Sequence, residues 1–212
     1  IEQFTQRYKV PDLADLPRFN GGLVGYFGYE TIRYIEPRLK GIEKPDPLGC
    51  PDVLLMVSEE ILVFDNLSGK VLLLTHANPE EVDSYNRALA RLSDLAEQLR
   101  EIQAKPKKNA KPCKVEEADF ISGFTQQGFE DAVLKAKDYI TDGDIMQVVL
   151  SQRLSIPYNA SPLNLYRALR CLNPSPYMYY LNLDDFHIVG SSPEILVRLE
   201  DNTVTVRPIA GT

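Results

Sequence analysis

The chain has 212 residues, 44% hydrophobic and 25% charged, with a formal net charge of −7. This is the composition of a soluble globular protein with room for one sizeable core or two small ones. The acidic balance argues against nucleic-acid binding as a main purpose, and no apolar run approaches the ~20 residues that a membrane-spanning helix needs.

Taken in chain order, GGLVGYFGYE at 21–30 predicts a strand, its interspersed glycines marking close approach to another backbone. Residues 31–35 can turn helical, and 52–56 read as a strand. The apolar runs 61–64 and 71–75 flank Asp65-Asn66-Leu67-Ser68-Gly69-Lys70, the signature of a hairpin. The period then changes. Asn78 is placed to cap a helix with Pro79, Glu80 and Glu81 in its first turn. Val82, Tyr85, Leu89, Leu92, Leu95, Leu99 and Ile102 recur at three- and four-residue steps, one apolar stripe on a long helix.

Residues 105–119, KPKKNAKPCKVEEAD, have lysines, prolines and no apolar period, and read as a solvated linker. They divide the chain into regions 1–104 and 120–212. In the second region Phe129, Val133, Ala136, Lys137 and Ile140 predict an amphipathic helix stopped at Gly143. A long strand is expected over 145–156, with Val148, Leu150, Leu154 and Ile156 toward a core and Gln147, Val149, Ser151 and Arg153 away from it. Ser161 and Pro162 open another helix, running to Asn173. Two hairpins follow, 177–183 with 186–190 and 195–199 with 204–209. Hairpins and meanders in place of regular βαβ units point to an α+β fold, mainly antiparallel sheets with outer helices.

Three cysteines, Cys50, Cys113 and Cys171, lie far apart, and with only His76 and His187 beside them no zinc spacing exists. Spread, unpaired thiols fit a reducing cytosol, so a cytoplasmic location is expected. Cys171 reads as a small core residue at a helix end.

Four segments carry chemistry: IMQVVLSQR at 145–153, NPSPYMYY at 173–180, GSSPE at 190–194 and PIAGT at 208–212. Each has a plain structural reading. Gln147 can simply bond solvent or a neighbouring strand. Two prolines around Ser175 can make a rigid helix-to-strand corner. Glu194 can be a surface residue closing a turn, and Gly-Thr can be a turn. Each also has a chemical reading. A carboxyl at the head of a strand suits a general acid, and a strand-end Gly-Thr offers a close N–H and a hydroxyl to a carboxylate.

As an ordered set the four segments resemble the chorismate-utilising enzymes and, among these, the large subunits (component I) of anthranilate synthase. The resemblance is strong over 129–212 and looser over 21–30 and 52–75. It implies an incomplete part of that family's sheet sandwich. It also implies conversion of chorismate and ammonia to anthranilate and pyruvate in tryptophan biosynthesis, with feedback inhibition by tryptophan.

By the same resemblance Glu194 is the general acid that protonates the departing ring hydroxyl, and Ala210, Gly211 and Thr212 hold the substrate. Asn173, Pro174, Pro176, Met178 and Gly190 line the tryptophan pocket. Sibling enzymes that add water carry a lysine base where this chain has Gln147, and aminodeoxychorismate synthase component I carries a nucleophilic lysine where it has Ala210. An amide takes no proton at neutral pH and a methyl is no nucleophile, so ammonia itself is the expected nucleophile. A glutamine amidotransferase subunit is the expected ammonia source. The family's Mg²⁺ ligands are expected beyond Thr212. The chain starts at Ile1 and stops directly after PIAGT. It therefore reads as a piece of a longer enzyme, inactive by itself. The rival readings are aminodeoxychorismate synthase component I and a non-catalytic module for tryptophan sensing or subunit docking.

Overall fold

The computed structural model describes residues 1–11, 13–42, 44–101 and 114–209. Contacts divide the chain into two compact units, Ile1–Lys105 and Pro106–Thr212.

The first unit opens with a single helical turn, α1 (Glu2–Thr5). Strand β1 (Gly22–Phe27) pairs antiparallel with β2 (Val53–Ser58), Gly25 lying opposite Leu55. A methyl on Gly25 would meet the Leu54 carbonyl oxygen at 1.9 Å, so only glycine lets these two backbones approach so closely. After β1 the chain makes a short turn and the helix α2 (Ile32–Ile35). Tyr34 donates its hydroxyl to Asp52 Oδ2 at 2.9 Å, tying α2 to the start of β2.

The expected hairpin forms as β3 (Glu60–Asp65) with β4 (Lys70–Thr75), Glu60 opposite Thr75 and Asp65 opposite Lys70. Asp65 closes its turn by accepting from the Ser68 hydroxyl at 2.6 Å and from the Leu67 and Ser68 amides. Helix α3 (Ser84–Glu101) packs on β4. It starts five residues later than the Asn78 cap predicts. Asn78 Oδ1 instead accepts from the Glu80 amide at 3.1 Å, and Asp83 adopts a left-handed φ of 61°, which separates that turn from the helix. The apolar stripe is accordingly half used. Leu92, Leu95 and Leu99 are half-buried, whereas Val82 lies outside the helix and Tyr85 and Leu89 are exposed.

In the second unit the short pair β5 (Ile121–Ser122) and β6 (Leu154–Ser155) flanks α4 (Gln126–Thr141). Thr125 caps α4 by accepting from the Gly128 amide at 3.0 Å, and Gly143, at φ 82°, ends it with Asp144 N–H donating to Tyr139 O at 2.9 Å. The long strand expected over 145–156 reduces to β6. A strand exists only where its N–H and C=O groups find a neighbour, and among the described residues only this end has one. The expected separation of faces survives only in part: Gln147, Val149, Ser151 and Arg153 are exposed as expected and Leu150 and Ile156 are half-buried, but Val148 and Leu154 are exposed.

Helix α5 (Pro162–Leu172) starts at Ser161-Pro162 as predicted, but Cys171 at its end is exposed and not a core residue. The hairpin β7 (Tyr177–Leu183) with β8 (Phe186–Ser192) turns at Asp184-Asp185, with Asp184 at φ 70°. Helix α5 packs on this hairpin, Tyr166 meeting Tyr180 at 6.3 Å and Tyr180 meeting His187 at 5.5 Å. The last hairpin is shorter and tighter than expected, β9 (Arg198–Glu200) with β10 (Thr203–Thr205). Asp201 and Asn202 both have positive φ, so two residues suffice for its turn. Among the described residues the five strand pairings are antiparallel and two-stranded, which makes the fold α+β with small open sheets.

Candidate functional site

The open end of the β7–β8 hairpin brings two of the four chemical segments together. Tyr177 opposite Ser192 is its last ladder pair, so residues 173–176 entering β7 lie beside residues 193–194 leaving β8. Serines fasten the two. Ser175 Oγ donates to the Ser192 carbonyl at 2.7 Å, and Ser191 Oγ donates to the Asn173 carbonyl at 2.9 Å. Ser192 Oγ donates to the Glu194 carbonyl at 2.8 Å, folding the chain back just after the strand. The Glu194 side chain is half-buried, and its Oε2 is inaccessible and has no hydrogen-bond partner. A buried carboxyl oxygen without a donor costs on the order of 1–3 kcal/mol or more, so such atoms are rare and favour functional positions.

On the hairpin face that carries Tyr177, Tyr179 lies directly opposite Gly190. A methyl on Gly190 would stand 2.1 Å from Tyr179 Cζ, so the bare glycine lets the ring lie across the strand. Met178 is half-buried and opposite Ser191, while Asn173, Pro174 and Pro176 are exposed around the same end. These five residues therefore cluster, although Met178 projects to the face opposite that of Tyr179.

Gln147 is exposed in the unpaired stretch after α4, and no hydrogen bond joins it to Glu194. Ala210, Gly211 and Thr212 lie outside the described residues. The serine fastenings are the feature that the separate segments do not reveal, because their partners are 17 and 18 residues apart. The signal was the hairpin register, which sets one serine-bearing segment against the other.

These segments are shared with known proteins. Residues 2–212 match the family described as chorismate binding enzyme. The chain belongs to the chorismate binding enzyme family. It is 55% identical to anthranilate synthase component 1 of Pseudomonas aeruginosa over 213 residues, covering 100% of this chain and 43% of that protein. The identity is also 55%, over 215 residues, to anthranilate synthase component 1 of Neisseria meningitidis serogroup B, with the same coverage. The crystal structure of anthranilate synthase component I from Streptococcus pneumoniae superposes with a TM-score of 0.80 at 31% identity, over 95% of this chain and 45% of that one. The chain thus spans less than half the length of the relatives it matches.

Among the described residues of this family member, no group of three or more His, Cys, Asp or Glu side chains converges so as to hold a metal ion. They do not fit a Mg²⁺ site. A separate groove of about 770 Å³ in the second unit is lined by Phe120, Phe124, Phe129 and Leu154, with Glu116 and Glu130. It shares no residue with the Glu194 cluster, and its glutamates would repel a dicarboxylate such as chorismate. No helix among the described residues is long and apolar enough to cross a membrane.

Proposed function

We propose that the full-length protein carrying this chain is the large subunit of an anthranilate synthase, with Glu194 as its proton donor. The observation that carries this reading is the Glu194 carboxyl, whose Oε2 is buried without a partner at a hairpin end held by three serine hydrogen bonds. An unpaired carboxyl oxygen held in place is free to give its proton to a substrate group. The relatives' common name supports the choice of reaction.

In this mechanism ammonia adds its lone pair to the chorismate ring, the ring hydroxyl leaves as water with the proton of Glu194, and the added ammonium gives up one proton, which restores the carboxyl. The enolpyruvyl ether then breaks, its methylene takes a proton and the ring loses one, giving anthranilate and pyruvate. Protonating so poor a leaving group is worth roughly 10²- to 10⁴-fold in rate. Gln147 and Ala210 supply neither a base for water nor a competing amine. Gly211 and Thr212 grip the ring carboxylate. Asn173, Pro174, Pro176, Met178 and Gly190 form the tryptophan-responsive site, and a glutamine amidotransferase subunit delivers the ammonia. Mg²⁺ is assigned to the part of the relatives' length that this chain does not cover.

The test supplies the full-length protein with chorismate, ammonium and Mg²⁺ and identifies the product by chromatography. The ortho-amino acid anthranilate is expected. A para-amino or hydroxylated product would overturn the assignment, and no product at all would favour a non-catalytic module.

A further inference from the structure

We infer that Ser175 is a positioning residue for the proton-donating carboxyl, acting through the Ser192 carbonyl; this deepens the proposed function and rests on it. Glu194 follows the last ladder pair of β8 by two residues, so no sheet hydrogen bond fixes its backbone. Its own side chain is not fixed by hydrogen bonding either, since Oε2 has no partner. What holds the segment is side-chain chemistry. Ser192 is gripped from two directions, its carbonyl accepting from Ser175 Oγ at 2.7 Å and its hydroxyl donating to the Glu194 carbonyl at 2.8 Å. Ser175 is half-buried between Pro174 and Pro176, whose fixed φ angles leave its backbone little freedom. The hydroxyl is thus presented by a stiff support, and it reaches the carboxyl's backbone in two steps. Ser191, bonding back to the Asn173 carbonyl at 2.9 Å, braces the same corner one position further from Glu194.

A carboxyl displaced by about 1 Å from its reacting group loses on the order of 10²-fold in rate while substrate binding is little changed. In the full-length protein, Ser175→Ala is therefore expected to lower kcat by roughly 10- to 100-fold with KM nearly constant. Ser175→Thr, which keeps the hydroxyl, should recover most of that loss. In a Glu194→Gln background Ser175→Ala should have almost no further effect, because the group being aimed is already gone.

An unchanged kcat in Ser175→Ala, or an equal loss with and without Glu194, overturns the inference and leaves the role of Glu194 standing. A normal rate in Glu194→Gln overturns both, and so separates the two failures. If Ser175→Ala does not fold, Ser191→Ala carries the test, with an expected loss in kcat of roughly 3- to 10-fold that again vanishes beside Glu194→Gln. A loss in Ser191→Ala that persists in that background would count against the inference.

Discussion

The two units each contain a two-stranded hairpin with one helix packed on it: β3–β4 under α3, and β7–β8 under α5. The first adds a charge pair to the half-buried Leu92, Leu95 and Leu99. Arg91 of α3 donates Nε to Glu60 Oε1 at 2.7 Å and its terminal nitrogen to Oε2 at 2.9 Å, a bidentate pair, and it also meets Asp94 at 2.7 Å. The second carries a run of tilted ring contacts, Tyr166 with Tyr180 and Tyr180 with His187. The hairpin ends differ more. The β3–β4 turn satisfies its own aspartate with three hydrogen bonds, whereas the open end of β7–β8 leaves a glutamate oxygen unpaired. The contrast teaches that the hairpin-and-helix scheme carries no chemistry of its own. In the proposed function the chemistry lies at the hairpin end that leaves a carboxyl oxygen without the partner that its counterpart supplies.

The sharpest way to break this comparison is Glu194→Gln in the full-length protein. Steady-state anthranilate formation should fall by roughly 10²- to 10⁴-fold with the denaturant midpoint nearly unchanged. An unaffected rate would make Glu194 as structural as Asp65. A second contrast sets Gly25 against Gly190. A methyl on Gly25 strikes backbone, which cannot yield, so Gly25→Ala should cost about 3 kcal/mol in denaturant unfolding. A methyl on Gly190 strikes the outer end of the Tyr179 ring, which is 44% exposed and can swing away. Gly190→Ala should therefore cost no more than about 1 kcal/mol and change the near-ultraviolet tyrosine signal instead.

The smallest effect concerns pH. The hydrogen bond from Arg91 holds the Glu60 carboxyl below the usual glutamate range, as its charge also does against partial burial. A depressed folded-state value means the pair's contribution is present above the unfolded carboxylate pKa of about 4.3 and is lost as pH falls through the folded value. The thermal midpoint of Glu60→Gln should thus lie slightly below that of the parent at pH 7 and merge with it on acidification. Added salt should shrink the difference, because the pair is exposed.

Much of the fold was legible because its signals are local. The β3–β4 and β7–β8 hairpins were visible as apolar runs around turn residues, and α4 as a 3.6-residue period ended by glycine. What was not legible depends on partners. Residues 145–153 have the composition of a strand, yet composition cannot supply a neighbour to bond with. Asn78 has the chemistry of a helix cap and spends it on a nearer amide. In the candidate site, Glu194 stood out from the turn before it, but its unpaired oxygen and the reach of Ser175 to Ser192 follow from register and packing. Those are set by residues distant in the chain.

Leu183, 6% exposed, is the one deeply buried apolar side chain among the described residues, and it sits in the hairpin that carries Glu194. Amide hydrogen exchange should reflect this. Helix α4 is the longer element but buries no residue, so its protons are expected to exchange through fraying. The slowest protons in the second unit should surround Leu181, Leu183 and Ile188, and protection should decay along the strands toward Tyr177 and Ser192. The carboxyl would then stand at the least buried end of the most persistent element, where the serine hydrogen bonds, and not burial, keep its backbone in place.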